Sequence, residues 1–264
     1  DSINVYFLGL FLNSEISRWN EPRKFECFNL SVNGTDILFG EFYMKQSSNN
    51  PLNNYVLFSG GAYGADTLFG VLADQYGVGK QFHIRPIGNT KIHKTLVKLG
   101  YGPLVAPEDK LAFARDKIQE LIGLKLTSNL GNNLKARNYF QVSNSESVLA
   151  VARLKSDMKS VNGGTDVAVG LSIALNLPTY VLDVTTENWF IYDCSQNKFI
   201  PYEGTPPLTR KFTGVGTRDL ENYQVKDKNT GLWVDRPQFI GEEKATRLRN
   251  KIEQVFIKAT ENTQ

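Results

Sequence analysis

Histidine, cysteine and long apolar runs are what this sequence has least of. His83 and His93 are its two histidines, and Cys27 and Cys194, far apart and without metal-ligand spacing, its two cysteines. A zinc centre takes three or four such ligands at close spacing, so no metal site is expected. A disulfide framework is excluded as well, and two distant thiols fit a reduced, cytosolic protein. No apolar run approaches the roughly 20 residues a helix needs to cross a bilayer, so no membrane partner is expected. Asp1 to Leu12 carry a short apolar stretch without a basic leader or a small-residue cleavage pattern, so no signal peptide is expected. An excess of one charge is also missing: 30 Lys and Arg stand against 27 Asp and Glu, a net +3. That does not announce a nucleic-acid partner, whereas a small anionic ligand needs only a local field.

What is present is the composition of a globular protein, 41% apolar and 22% charged, long enough at 264 residues for one large α/β domain with additions. Residues 1–50 read as a β-rich extension: Asn4–Phe11, Lys24–Val32 and Thr35–Lys45 are strand-like, and Asn33-Gly34 is a hairpin signal. Gln46–Asn54 is polar and predicts a loop.

From residue 51 to 264 the pattern alternates. Strands are predicted at Tyr55–Phe58, Gln81–Ile87, Ser147–Ala152, Thr179–Asp183 and Lys211–Gly214. Helices are predicted at Thr67–Tyr76, Pro107–Leu124, about Leu134–Gln141, Asp166–Asn176 and Glu242–Thr260. Trp189–Tyr192 with Lys198–Tyr202, and the chain around Asn229-Thr230-Gly231, read as inserted hairpins. The aromatics of the first are expected in its core, and the basic face of the last helix (Lys244, Arg247, Arg249, Lys251, Lys258) is expected in solvent. Strands alternating with helices predict a Rossmann-like, doubly wound parallel sheet.

Three strand ends carry candidate chemistry. Ser59-Gly60-Gly61-Ala62-Tyr63-Gly64-Ala65-Asp66 follows the first core strand, Asn162-Gly163-Gly164-Thr165-Asp166 precedes a helix, and Gly214-Val215-Gly216-Thr217-Arg218 ends the last core strand. Strand carboxyl ends face one crevice in such a sheet. Glycine lets a ligand approach the backbone, and the following helix offers free N–H groups to an anion. Ser59 and Thr165 add hydroxyl donors, and Arg218 a bidentate phosphate clamp. Asp66 suits either a bond to the amides of its own turn or a ribose hydroxyl. Tyr63 suits either an exposed turn or a base-stacking role. His83, within a strand, is read as packed.

These strings resemble a family. SGGAYGAD is close to the SGGAxGAD turn of the SLOG superfamily, which includes DNA-processing and many phage-encoded proteins. NGGTDVAVGLSIALNLPTYVLD is similar to the second glycine turn, helix and strand of that group. Arg137-Asn138 with Val142 and Ser145-Glu146-Ser147 is similar to a stretch in its molybdenum-carrier-like and phage members. The likeness covers residues 55–218 and the C-terminal helix. It implies a nucleotide ligand, Arg137 and Asn138 facing it, a homo-oligomer, and the cytoplasm of a host if the chain is phage-encoded.

The chain departs from the family's pattern in two places. The GVGTRD strand comes last here, whereas relatives place its counterpart first, so the order looks circularly permuted and strand 211–214 is expected beside strand 55–58. The Lonely-Guy phosphoribohydrolases of the superfamily carry PGGxGTxxE, and the helix after Gly163-Gly164-Thr165 has no glutamate at that place. Three functions follow in order of expectation. The first is holding a nucleotide-derived ligand without a catalytic residue or cofactor, as in sequestering a cyclic or ADP-ribose-type immune signal. The second is cleavage of a nucleotide with Asp66, Asp166 or Glu146 as the carboxylate. The third is single-stranded DNA binding, disfavoured because no basic cluster is evident near the turns.

Overall fold

A computed structural model of the chain describes residues 24–32, 35–44 and 50–263. The predicted strand at residues 4–11 and the Asn33-Gly34 turn lie outside them. β1 (Lys24–Val32) and β2 (Thr35–Met44) pair antiparallel as a separate two-stranded sheet.

The main sheet begins with β3 (Val56–Ser59), which leads through α1 (Ala65–Gln75) to β4 (Lys80–Pro86) and through the short α2 (Lys94–Lys98) to β5 (Pro103–Ala106). A helical stretch then crosses back in three pieces, α3 (Glu108–Ile122), α4 (Leu130–Ala136) and α5 (Asn138–Ser143), before β6 (Ser147–Ala152). α6 (Thr165–Ala174) joins β6 to β7 (Thr179–Asp183), and the hairpin β8 (Trp189–Asp193) and β9 (Lys198–Pro201) extends the edge. β10 (Lys211–Gly216) returns to the middle, followed by a 3-10 turn at Arg218–Leu220, a small hairpin of β11 (Gln224–Lys226) and β12 (Trp233–Asp235), and α7 (Glu242–Glu261).

The eight strands stand in the order β5-β4-β3-β10-β6-β7-β8-β9, with every neighbouring pair parallel except β7–β8 and β8–β9, so that β8 alone runs against the rest. The expected doubly wound sheet is therefore present. Its central prediction also holds, since Lys211, Phe212 and Thr213 of β10 pair with Val56, Leu57 and Phe58 of β3 although some 155 positions separate them. Winding proceeds one way from β3 and the other way from β6, and β10 fills the reversal point, where ligands bind in open α/β sheets.

Both sheet faces are covered, so the strands are nearly continuous apolar runs, and all six residues of β6 are buried. One face packs under α3, α5 and α6 with Leu111, Ile118, Phe140 and Leu171 fully buried. The other packs under α1 and α7 with Phe69, Leu248, Ile252 and Phe256. Trp189 and Phe190 of β8 are buried in opposite cores, as the hairpin reading expected.

Two features escaped the sequence pattern. β5 and α2 are only four and five residues long, too short to show a period. The predicted helix at about 134–141 is two helices meeting at Arg137, where the chain turns the arginine inward.

Candidate functional site

The carboxyl ends of β3, β10 and β6 open into a cavity of about 460 Å³. Its walls are built by the segments singled out above: Ala62 and Asp66 from the first turn, Asn162 to Thr165 from the second, Val215 to Asp219 after β10, and Arg137 with Asn138 from the α4–α5 junction.

The first turn turns out to be occupied by the protein itself. Ser59 is fully buried and its Oγ donates to the Asp66 carbonyl at 3.4 Å. A Cβ on Gly60 would lie 1.6 Å from Arg137 Nη1, so this glycine admits the arginine. Gly61 passes against Ile92 and His83. Gly64, at φ 79°, comes so near the last strand end that a Cβ would sit 2.4 Å from the Thr217 carbonyl, the acceptor of the Ala65 N–H at 3.0 Å. Tyr63 lies outside the cavity wall, stacked on Tyr223 at 4.1 Å with the His93 ring against its edge. His93 Nε2 in turn faces Glu221 at 2.9 Å, and Glu221 accepts the Gly64 N–H.

Arg137 is the strut of this arrangement. It donates from Nη1 to the Ile84 carbonyl at 2.8 Å and from Nε to the Leu134 carbonyl at 3.2 Å, and its Nη2 faces Asp66 Oδ2 at 3.5 Å. Asp66 also accepts from the amides of Ala62 and Gly216. Burial pushes its carboxyl pKa up, against the pull of Arg137, the two amides and Arg218. Burial likewise lowers Arg137, which Asp66 counteracts. Arg85, not anticipated from the sequence, is also buried, and among the described residues its guanidinium donates to neutral oxygens of Gly60 and Asn89. Burial and the charge of Arg137 bring its pKa down to about 10. Two buried arginines thus share one carboxylate, which leaves a positive field behind the crevice.

The second turn is different: it is open. A Cβ built on Gly163 or on Gly164 meets no atom within 4 Å. Gly163, at φ 84°, needs glycine for its backbone, but Gly164, at φ −68°, does not. Among the described residues no side chain caps α6; the Asp166 N–H bonds back to the Gly163 carbonyl at 3.3 Å, and Gly163, Gly164 and Thr165, at the positive end of the helix dipole, line the cavity. Asp166 stands just outside the wall, 3.4 Å from Lys155 Nζ.

The remaining wall corrects the expectation about charge. Five cationic side chains line the cavity, Lys135, Arg137, Arg153, Arg218 and Arg236, against the carboxylates Asp66 and Asp219, an excess of three. They come from four separate segments, Lys135 and Arg137 sharing one, so no cluster shows in the linear sequence. Both carboxylates are engaged: Asp219 accepts from Arg153 Nη1 at 2.6 Å and from Arg236 Nη2 at 2.9 Å, and these two contacts hold its pKa below the usual value against burial. Thr217 Oγ1 accepts the Asp219 N–H and fixes that turn. Arg218 is exposed and, among the described residues, makes no ion pair. Asn138 is 7% exposed, lines the cavity, and its amide has no protein partner among the described residues. The apolar wall is small and aliphatic (Leu134, Ala152, Ala168, Val215), and no aromatic ring lines the cavity among the described residues.

A second cavity of about 590 Å³ lies between the β8–β9 hairpin and α7. Its single cation, Lys251, is balanced by Glu203 and donates to Asn188, so it lacks the field of the first.

Against family models, curated proteins and solved structures the chain finds no match. No group of three or more His, Cys, Asp or Glu is arranged to hold a metal ion in the described part, and no described helix is long and apolar enough to cross a membrane.

Proposed function

We propose that this protein binds a nucleotide-derived small molecule by its phosphates, in the cavity at the ends of β3, β10 and β6, and holds it without cleaving it. The observation that carries this reading is Gly164: it is the N-cap of α6 without a side-chain cap, it lines the cavity, and a Cβ there meets no atom within 4 Å, so the helix start is left open to a ligand. A phosphate seated there would meet the guanidinium group of Arg153, which follows β6. Asn138 supplies a buried amide for a sugar hydroxyl or phosphate oxygen.

Cleavage needs a carboxylate free to take or give a proton at the scissile bond. Asp66 and Asp219 are both clamped by arginines, Asp166 faces Lys155, and Glu146 accepts from the Lys211 N–H at the opposite end of the sheet. Holding is therefore favoured over hydrolysis, and it suits the sequestration of a signalling nucleotide that the family resemblance implies. Incubating the protein with adenine nucleotides, cyclic nucleotides and ADP-ribose derivatives, filtering, and releasing the bound fraction by heat tests this. Intact ligand is the expected recovery; a cleaved product would overturn the binding-only reading.

A further inference from the structure

The cavity wall also says which part of the ligand is read. A nucleobase is ordinarily recognised by stacking on an aromatic ring together with hydrogen bonds to its edge. Here the ring of the first turn, Tyr63, is already stacked on Tyr223 and meets His93 edge-on. The apolar wall consists of short aliphatic side chains, and no described aromatic residue reaches it. Charge, by contrast, is abundant, with an excess of three cations over carboxylates and the start of α6 besides.

One phosphate monoester carries at most about two negative charges near neutral pH, too few to balance that wall. Lys135 lies on α4 and Arg218 beyond β10, on segments separate from α6, and neither makes an ion pair among the described residues. They provide for a second anionic group apart from the one at Gly164.

We infer that the ligand carries at least two phosphate groups and is recognised through them and the sugar, with the base outside the contact surface, so that the site is indifferent to base identity. This rests on the phosphate reading of the cavity. It is tested by calorimetric titration of the full chain with ADP, GDP, CDP, UDP and inorganic pyrophosphate, and with AMP and adenosine, at one ionic strength. The expected result is affinities within about threefold across the four nucleoside diphosphates, at least tenfold weaker binding of AMP, and none of adenosine. A tenfold preference for one base, or adenosine binding as well as ADP, overturns the inference while leaving a nucleotide site in place. Failure of every phosphate compound to bind, pyrophosphate included, overturns the phosphate reading itself. The double variant Lys135→Ala/Arg218→Ala, altering side chains that are not part of the core, is expected to lose at least tenfold toward ADP and less than threefold toward AMP. Equal losses toward both would contradict the assignment of a second phosphate to these two residues.

Discussion

Arg137 and Asp66 meet beneath the first glycine turn, Nη2 to Oδ2 at 3.5 Å, with both side chains more than nine-tenths buried. The pair ties the α4–α5 junction to the start of α1, and Gly60 is the opening through which the guanidinium passes. Removing one partner leaves the other charge buried and uncompensated, which typically costs about 3–5 kcal/mol. Arg137→Ala is expected to lose stability in that range in urea unfolding, and Gly60→Ala to destabilise in the same direction because its Cβ displaces the arginine. A loss below about 1 kcal/mol for Arg137→Ala would show that the pair is not the strut described.

The second glycine turn should behave in the opposite way. Gly164→Ala introduces a Cβ with no atom within 4 Å at an ordinary φ, so the stability loss is expected to stay within about 1 kcal/mol, the usual cost of alanine at an N-cap. ADP binding is expected to weaken at least tenfold, because the methyl group occupies the approach to the α6 amides. Stability by urea unfolding and affinity by calorimetry, measured on the same preparation, separate the two effects; unchanged affinity would mean the ligand sits elsewhere.

His83 gives the protein a pH signature. It is fully buried, neither ring nitrogen has a hydrogen-bond partner among the described residues, and burial together with the charge of Arg137 lowers its pKa from 6.5 to about 3. The unfolded chain then binds more protons than the native one between those values, so stability falls as pH drops below 6.5. The loss is roughly 2 kcal/mol at pH 5. Asp219, whose pKa is depressed, contributes its own loss only below about 3.8, and Asp66, raised by burial, acts in the opposite sense. The difference between the parent and His83→Leu isolates the histidine: the variant is expected to lose the slope between pH 6.5 and 5, and a retained slope would contradict a neutral buried ring.

Asp219 accepts from both Arg153 and Arg236 and so withholds two cations from the cavity. Asp219→Asn removes a negative charge there and weakens two charge-assisted hydrogen bonds. The expected outcome is a stability loss of about 1.5–3 kcal/mol with tighter binding of a diphosphate. Weaker binding would mean that the Asp219 contacts position the arginines for the ligand rather than compete with it.

The sheet was legible in the sequence because its strands are buried on both faces and its helices are long enough to show a period; the pairing of strands 211–214 and 55–58 was implied by the family resemblance, through the permuted order of the glycine turns. The cavity's location was legible for the same reason, since glycine after an apolar strand marks the carboxyl end of a parallel sheet. Its working parts were not. Lys135, Arg153 and Arg236 fall on three separate segments whose neighbours in sequence give no sign of convergence. The division of labour between the two glycine turns was equally hidden: both look like phosphate loops, and only the packing shows Gly60 filled by Arg137 and Gly164 left clear. Tyr63 looked available for stacking because Tyr223, its partner, lies 160 positions away in the chain.

Backbone amide NMR of the full chain titrated with ADP places the ligand most directly. Binding at the start of α6 predicts the largest shifts at Gly163, Gly164, Thr165 and Arg218, with Thr186 to Tyr202, around the second cavity, unmoved. Shifts confined to Thr186 to Tyr202, or none at Gly163 and Gly164 at saturating ADP, would contradict an anion seated on that helix.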